Sequence, residues 1–317
     1  MTTILTMALA MLAAPVAAAD APRETAVTIK GPAGPLAGTL TNAGRGAPVV
    51  VMIPGSGPTD RDGNNPLGVT AGSYRLLAAA LGMKGVSTIR IDKRGMFGSK
   101  AAIPDANAVS IADYAADAHG WAAEAARRTG NRCAWLLGHS EGGLVALQAA
   151  EDPRDLCGVV LVSSPGTPLA ETMKAQFRAN PANAPILAPA IAAIDALRVG
   201  RRVDPATLPA PLPMIFPAAV QGFMIDLFAH DPAALAAKVT LPVLIVQGER
   251  DLQVPVGDAQ ALAKANSRAT LVLLPGVNHV LKAVASDDRG ANLATYADAS
   301  LPIAPGVADA VAGFVKR

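Results

Sequence analysis

A serine between two glycines occurs where a buried strand is predicted to pass into a helix. Residues 133–137 are an apolar run that favours a strand, residues 138–142 read Gly-His-Ser-Glu-Gly, and residues 144–150 favour a helix. Such a sharp turn needs glycine on both sides of the serine, because a Cβ atom would collide with nearby backbone. We therefore predict that Ser140 is a nucleophile at the carboxyl end of a strand. The alternative is a glycine-rich turn whose serine has no chemical role.

A base is required to take the proton from a serine hydroxyl, and histidine is the residue most often used. The chain has four histidines, and His279 follows the strand predicted at residues 270–274. Because parallel strands end at one edge of a sheet, we expect His279 to lie beside Ser140. The other three are expected to have structural or pocket-lining roles: His119, His139 and His230.

An acid must in turn orient the base. The apolar residues 241–246 lead into a loop that contains Glu249 and Asp251. We predict that Asp251 is this acid and that Glu249 is the second choice. The alternative for Asp251 is a carboxylate that only caps the loop. The chain order Ser140, Asp251, His279 is the order associated with a nucleophile on a strand-to-helix turn.

The remaining sequence predicts the elements that hold these residues together. Strands and helices alternate from residue 48 onward, which favours a mostly parallel sheet with helices on both faces. Residues 24–30 and 36–42 predict an antiparallel hairpin before it. The other strands are predicted at residues 48–53, 86–92, 158–163, 241–247 and 270–274, and the main helices at 74–81, 110–129 and 307–315. Ser73 and Ser110 are the predicted N-caps of the first two helices.

Residues 165–238 interrupt the alternation. They are rich in proline and contain helical patterns at residues 169–179, 187–199 and 218–229. Because a structureless loop of this length is improbable in a compact domain, we predict an inserted helical cap, with the core formed by residues 20–164 and 239–317. Its large apolar side chains are expected either to line an acyl pocket or to dock the cap on the core: Met214, Phe216, Phe223, Met224 and Phe228.

Composition restricts the class of protein and its partners. The chain has 317 residues, of which 51% are hydrophobic, which is enough for one large α/β domain. Its 27 basic and 25 acidic residues are interspersed, and only 3% of residues are aromatic, so the sequence argues against a nucleic-acid partner. No group of residues has the spacing of a zinc site, and no metal or organic cofactor is expected.

The amino-terminal residues predict export. Residues 1–19 carry no charged side chain and contain an apolar run at residues 4–14, which indicates a secretory signal peptide cleaved near Ala19. A periplasmic or secreted protein is expected, and an uncleaved anchor is the alternative. Cys133 and Cys157 begin successive predicted strands, so both a disulfide and two buried free thiols are compatible with the sequence.

Further motifs accompany the glycine-flanked serine. Residues 54–57 read Pro-Gly-Ser-Gly, residues 92–99 read Asp-Lys-Arg-Gly-Met-Phe-Gly-Ser, residues 248–251 read Gly-Glu-Arg-Asp, and Asn278 precedes His279. With these motifs the sequence resembles the α/β-hydrolase superfamily, in its bacterial esterase and serine-aminopeptidase-like branch. The resemblance implies an eight-stranded sheet in which only the second strand is antiparallel, with the cap inserted after the sixth strand.

The resemblance also implies an oxyanion hole made of two backbone amides. One is the amide of Glu141, directly after the serine. The other comes from the loop after Ile53, where the amide of Ser56 is favoured and that of Gly57 is the alternative. Gly57 and His139 are further expected to contact the substrate.

These expectations indicate an exported serine hydrolase that cleaves carboxylic esters and prefers short acyl groups. Cleavage of amides, as in aminopeptidase-like relatives, would need an acidic subsite for a substrate amine, for which Asp226 and Asp231 are candidates. Thioester hydrolysis is a third possibility. A non-catalytic binding protein on the same fold is the alternative from another class, and the intact set of Ser140, Asp251 and His279 argues against it.

Overall fold

The computed structural model describes residues 23–317, so the predicted signal peptide lies outside the described residues. Eight strands form one sheet: β1 Arg23–Lys30, β2 Pro35–Asn42, β3 Val49–Ile53, β4 Ser87–Ile91, β5 Ala134–His139, β6 Leu156–Val162, β7 Val243–Gly248 and β8 Thr270–Leu274. Their order across the sheet is β1-β2-β4-β3-β5-β6-β7-β8. The pairs β1–β2 and β2–β4 are antiparallel and the others are parallel, so β2 alone runs in the opposite direction, as expected.

Helices follow most of the strands along the chain. In residues 23–317 the α-helices are α1 Ser73–Met83, α2 Ile111–Thr129, α3 Glu141–Ala149, α4 Leu169–Ala179, α5 Leu187–Arg198, α6 Leu212–Ile215, α7 Gln221–Phe228, α8 Pro232–Lys238, α9 Val256–Ala265, α10 Arg289–Ala294 and α11 Pro305–Val315. None of the helices in this part of the chain is both long and apolar enough to cross a membrane.

The helices pack on both faces of the sheet, as the alternating pattern predicted. Val49, Val51 and Ile53 of β3 belong to one buried cluster, which also contains the apolar faces of α2 and α3. Val50 and Met52 point to the opposite face and join a second buried cluster with α1 and α11. Because successive side chains of a strand alternate between faces, a continuously apolar strand such as β3 is suited to a sheet covered on both sides.

The two predicted N-caps have different outcomes. Ser110 caps α2, because its side chain accepts a hydrogen bond from the amide of Asp113 and the Asp113 carboxylate accepts one from the amide of Ser110. The prediction for Ser73 is wrong. Gly72 is the N-cap residue of α1, and the Ser73 hydroxyl instead donates to the carbonyl of Val280 at 2.7 Å. This long-range contact, which local sequence does not reveal, ties α1 to the loop that follows β8.

The segment between β6 and β7 is helical throughout most of its length and contains α4 to α8. Several of its apolar side chains, including Phe177, Ile194 and Leu212, are buried and belong to the same cluster as α2 and α3. The bounds of this segment as a cap, residues 165–238, stay a prediction. Its place in the chain, after the sixth strand, is the one that the resemblance implied.

Cys133 and Cys157 form a disulfide. Cys133 directly precedes β5 and Cys157 lies in β6, and the two strands are parallel neighbours in the sheet. The bond therefore joins the amino-terminal ends of these strands, opposite the edge at which Ser140 lies. Of the two states compatible with the sequence, the structure contains the disulfide.

Candidate active site

Ser140 lies on a strained turn between β5 and α3. Its backbone has φ 53° and ψ −125°, a conformation that non-glycine residues rarely adopt. A Cβ atom at Gly138 would lie 2.1 Å from the carbonyl oxygen of Gly142, and one at Gly142 would lie 2.3 Å from that of Ile53. Both glycines are thus needed for close backbone contact, which is the reason inferred from the sequence.

A large cavity lies at the carboxyl edge of the sheet. It has a volume of about 930 Å³, and both Ser140 and His279 line it. The loops after β3 and β4 contribute to it, as do α4 and α7 of the inserted segment. A site of this size is within the range used for small-molecule ligands in proteins.

His279 is hydrogen-bonded to the acid predicted for it. Its Nδ1 lies 2.8 Å from Oδ2 of Asp251, whose side chain is fully buried. Because a carboxylate can only accept, the Nδ1 atom carries the proton, and Nε2 of the neutral ring is left as an acceptor. This is the tautomer that a base acting on a serine hydroxyl requires.

The Asp251 carboxylate is stabilised in its charged form. Its Oδ1 accepts from the backbone amides of Gln253 at 2.8 Å and Val254 at 2.9 Å. Burial alone would raise the pKa of Asp251, but the His279 imidazole and the hydrogen bonds outweigh it and lower the pKa below its usual value. Asp251 therefore stays ionised beside the imidazole, whereas Glu249, the second choice, is exposed.

Ser140 and His279 share the cavity without a direct bond. Within residues 23–317, the Ser140 hydroxyl forms no hydrogen bond with the imidazole of His279. Hydrogen bonds between nucleophile and base are often long in sites without substrate and tighten when substrate binds. Ser140, His279 and Asp251 thus lie at the carboxyl edge of the sheet. In residues 23–317 the hydrogen bond between His279 and Asp251 is formed, and the one between Ser140 and His279 is not.

His139 is part of a buried network that the sequence did not reveal. Its Nε2 lies 2.9 Å from the carbonyl oxygen of His279, and its Nδ1 lies 2.8 Å from the Tyr74 hydroxyl, which accepts from the amide of Gly55 at 3.1 Å. Since a carbonyl can only accept, Nε2 carries the proton and the Tyr74 hydroxyl donates to Nδ1. The network connects the loops of Gly55 and His279 through the residue next to Ser140.

This network depends on a neutral His139. Burial of the ring, aided by the nearby His279, lowers the pKa of His139 to about 3. Burial likewise raises the pKa of Tyr74 far above its usual value, so its hydroxyl remains a donor. His139 lines the cavity, but both of its ring nitrogens are occupied by protein groups. Its role in the structure is therefore to hold neighbouring loops.

The backbone amides predicted for an oxyanion hole face no acceptor within residues 23–317. In the described part of the chain, the backbone amides of Ser56 and Glu141 donate to no other group, and both residues line the cavity. The same holds for Gly57, the alternative. A Cβ atom added to Gly55 would lie 3.1 Å from the Cβ of Ser140, so the loop after β3 packs directly against the nucleophile turn.

The predicted substrate contacts divide into two groups. Phe223 and Met224 of α7 line the cavity, as does Gly57. Phe216 does not: it is fully buried and stacks on Phe177 with ring centroids 6.4 Å apart. The prediction for Phe216 as a substrate contact is therefore wrong, because this side chain packs inside the buried apolar cluster against Phe177 of α4. Hydrophobicity alone does not separate these two environments.

Residues 23–317 contain no group of three or more His, Cys, Asp or Glu residues placed to hold a metal ion. The acidic candidates for an amine subsite are engaged elsewhere. Asp226 accepts from the amide of Ile111 at 2.7 Å, and Asp231 caps α8. Neither lines the cavity, whose one carboxylate in the described chain is that of Glu141.

Residues 50–294 match the model of the alpha/beta hydrolase family, and the chain therefore belongs to that family. A curated relative, the esterase EstD of Thermotoga maritima, is 27% identical over 274 residues. The match covers 81% of this chain and 60% of EstD, so the chain spans less than two thirds of that relative's length.

Solved structures share the fold at low sequence identity. The alpha/beta hydrolase GrgF from Penicillium sp. sh18 has a TM-score of 0.57 and 17% identity, over 81% of this chain and 91% of that one. The Pyrococcus furiosus esterase Pf2001 also has a TM-score of 0.57, with 15% identity over 93% of each chain. At these identities the similarity establishes the fold.

Proposed function

We propose that this protein is a serine hydrolase that cleaves carboxylic esters with Ser140, His279 and Asp251. The observation on which the proposal rests is the buried Asp251–His279 hydrogen bond of 2.8 Å, whose imidazole shares a cavity with a serine in a strained turn. Membership of the alpha/beta hydrolase family and the similarity to esterase EstD support it.

The proposed reaction has two steps. His279 Nε2 takes the proton of Ser140 as Oγ attacks the ester carbonyl carbon, and the amides of Ser56 and Glu141 stabilise the resulting oxyanion. The carbon–oxygen bond to the alcohol breaks, and His279 returns the proton to the leaving alcohol. Water, activated by His279, then hydrolyses the acyl-Ser140 intermediate to the acid and the free enzyme.

Hydrolysis of p-nitrophenyl acetate by matched serine variants tests this proposal. Ser140→Ala is expected to lower kcat by at least about 10⁴-fold. Ser163→Ala is the control, because Ser163 also has a positive φ, 48°, at the end of the neighbouring strand but lies outside the cavity lining. Equal rates for the two variants, or a wild-type protein that hydrolyses no ester, would contradict the proposal.

We propose ester rather than amide cleavage because the cavity offers no free acidic subsite in the described chain. Its Glu141 carboxylate is buried and lies 3.5 Å from Lys93, and Asp226 and Asp231 bind backbone amides outside it. Aminoacyl p-nitroanilides are therefore expected to be poor substrates beside p-nitrophenyl and thiophenyl acetates. Faster turnover of the anilides would favour the aminopeptidase alternative.

A preference for short acyl groups remains part of the proposal. The inserted segment contributes few aromatic side chains to the cavity, namely Phe223 and Phe228. Since the volume of about 930 Å³ exceeds what an acetyl group fills, we assign the remaining space to the alcohol part of the ester. An ester panel in which acyl and alcohol groups are varied separately tests this assignment. A maximum at dodecanoyl or longer acyl groups would contradict it.

We also propose that the protein is exported, with residues 1–19 as the signal peptide. The disulfide between Cys133 and Cys157 supports this, because such bonds persist mainly in oxidising compartments. Fractionation of the source cells and amino-terminal sequencing test it, with cleavage expected near Ala19. A cytoplasmic protein that retains residues 1–19 would contradict it.

A further inference from the structure

A buried lysine lies behind the two amides of the proposed oxyanion hole. Lys93 follows β4, lines the cavity and is only 4% exposed. Its Nζ donates to the carbonyl oxygen of Gly55 at 2.7 Å and lies 3.5 Å from Oε1 of Glu141. Neither the ester mechanism nor the sequence motifs assign a role to this side chain.

The first contact fixes the direction of one oxyanion donor. The Gly55 carbonyl and the Ser56 amide belong to the same peptide group, which is planar and trans, so its C=O and N–H point in opposite directions. A hydrogen bond that holds the oxygen therefore also orients the N–H of Ser56. Because the donor is a cation, it polarises the peptide group and makes that N–H a stronger donor.

The second contact links the same ammonium to the other donor. Glu141 is the first residue of α3, and its own amide is the second proposed oxyanion donor. The ion pair of Lys93 with Glu141 is buried on both sides, with side chains 3% and 2% exposed. The Lys93 side chain thus connects the loop after β3 to the start of α3. These two elements carry the two proposed oxyanion donors, whose relative position must be kept.

We propose that Lys93 is a positioning residue that holds the Ser56 and Glu141 amides in the geometry of the oxyanion hole. This inference rests on the proposed ester hydrolysis. Direct binding of a substrate anion by Lys93 is disfavoured, because its charge is already paired with Glu141. Gly55 is held independently through its amide by Tyr74, so loss of Lys93 is expected to slow the reaction without abolishing it.

The test is steady-state kinetics of Lys93→Met with p-nitrophenyl acetate. Since the oxyanion exists only in the transition state, kcat is expected to fall about 10- to 100-fold while KM changes less than about threefold. Lys174→Met is the matched control, because Lys174 is also buried and paired with carboxylates but lies outside the cavity lining. A wild-type kcat in Lys93→Met, or an equal loss in Lys174→Met, would overturn the inference.

A double variant separates positioning from stability. Lys93→Met leaves the Glu141 carboxylate buried without its partner, which is expected to lower Tm. Lys93→Met combined with Glu141→Gln removes that orphaned charge and is expected to restore Tm but not kcat. Recovery of kcat together with Tm would show that Lys93 only stabilises the fold, and would overturn the inference. The double variant also provides the test if Lys93→Met alone does not fold.

Failure of this inference is distinguishable from failure of the proposed function. If the wild-type protein hydrolyses esters and Ser140→Ala does not, the function stands, and the kcat of the Lys93 variants alone decides the role of Lys93. If the wild-type protein hydrolyses no ester, the proposed function fails first and the inference falls with it.

Discussion

The cavity has two walls of different character. The polar wall, formed by side chains at the strand ends and on α1, comprises Ser140, His139, His279, Tyr74 and Lys93. The apolar wall, contributed by the inserted helices, comprises Leu169, Met173, Met214, Phe223 and Met224. In the polar wall all but Ser140 are held by hydrogen bonds of 2.7 to 3.1 Å, whereas Met214 in the apolar wall is 84% exposed.

This difference indicates a division of roles between the walls. Hydrogen bonds are directional, so the polar wall can hold reacting groups within the narrow geometry that catalysis needs. Dispersion and hydrophobic contacts are not directional, and methionine adapts readily to different partners. We therefore expect changes in the polar wall to act on kcat and changes in the apolar wall to act on substrate preference.

The largest fall in kcat is expected from a change at Asp251, which is hydrogen-bonded to His279 of the polar wall. Asp251→Asn should lower kcat about 10³- to 10⁴-fold, because an amide can favour the wrong tautomer of His279. Glu249→Gln is the control on the same loop, since Glu249 is exposed, and it should keep nearly full activity. Steady-state kinetics of the two variants check this prediction. A larger loss in Glu249→Gln would show that the acid has been assigned to the wrong residue.

A smaller fall in kcat is expected from a change at His139, which connects the loops of Gly55 and His279. His139→Phe removes the partner of the His279 carbonyl and of the Tyr74 hydroxyl, so kcat should fall about 10- to 100-fold, equivalent to about 1.4 to 2.7 kcal/mol. Kinetics on p-nitrophenyl acetate measure the loss. His139→Gln, which retains a donor and an acceptor, should recover part of it, and equal losses in both variants would contradict a hydrogen-bonding role.

His139 should also give the protein a pH-dependent stability. The unfolded chain binds a proton at His139 near pH 6.5, whereas the folded protein binds it only near pH 3. The stability that the neutral ring contributes is therefore present above pH 6.5 and is lost as the pH falls towards 3, at up to about 1.4 kcal/mol per pH unit.

Denaturant unfolding of wild-type protein and His139→Phe at several pH values tests this dependence. The free energy of unfolding of the wild type should fall relative to that of the variant between pH 6.5 and pH 4. Parallel pH profiles for the two proteins would show that His139 titrates normally in the fold.

The smallest effect on rate is expected in the apolar wall. Phe223→Ala enlarges the cavity beside Tyr114, whose ring centroid lies 5.9 Å away, and should shift the preferred acyl length with only a few-fold change in kcat. Phe216→Ala is the contrast, because Phe216 lies in the core and its loss should cost about 3–5 kcal/mol of stability without a shift in preference. The ester panel and denaturant unfolding distinguish the two. A shift of the preferred acyl length in Phe216→Ala would contradict the assignment of Phe216 to the core and of Phe223 to the apolar wall.

Sequence patterns predicted all eight strands to within about two residues, but they did not predict helices α6, α8, α9 and α10. The strand predicted at residues 270–274 and the helix at residues 169–179 have the observed bounds of β8 and α4. The positions of Ser140, Asp251 and His279 followed because each lies in the turn or loop after a strand of a mostly parallel sheet. Local periodicity and chain order therefore predict which residues meet at the carboxyl edge.

The supporting contacts were not predictable in the same way. Tyr74 and His139 are 65 residues apart, and Lys93 and Gly55 are 38 residues apart, so no local pattern pairs them. Ser73 was expected to cap its own helix but donates to Val280, 207 residues away. Phe216 and Phe223 are similar in type and neighbourhood, yet tertiary packing places one in the core and one at the cavity.

Trapping the acyl-enzyme tests the central claim most directly. Wild-type protein is mixed with p-nitrophenyl acetate, quenched in acid within the first turnover, digested and analysed by peptide mass spectrometry. The account predicts an acetyl group on Ser140 that is absent from His279→Ala and that forms with a burst of p-nitrophenol. Rapid release of p-nitrophenol with no acetyl group on Ser140, or with the acetyl group on another residue, would contradict it.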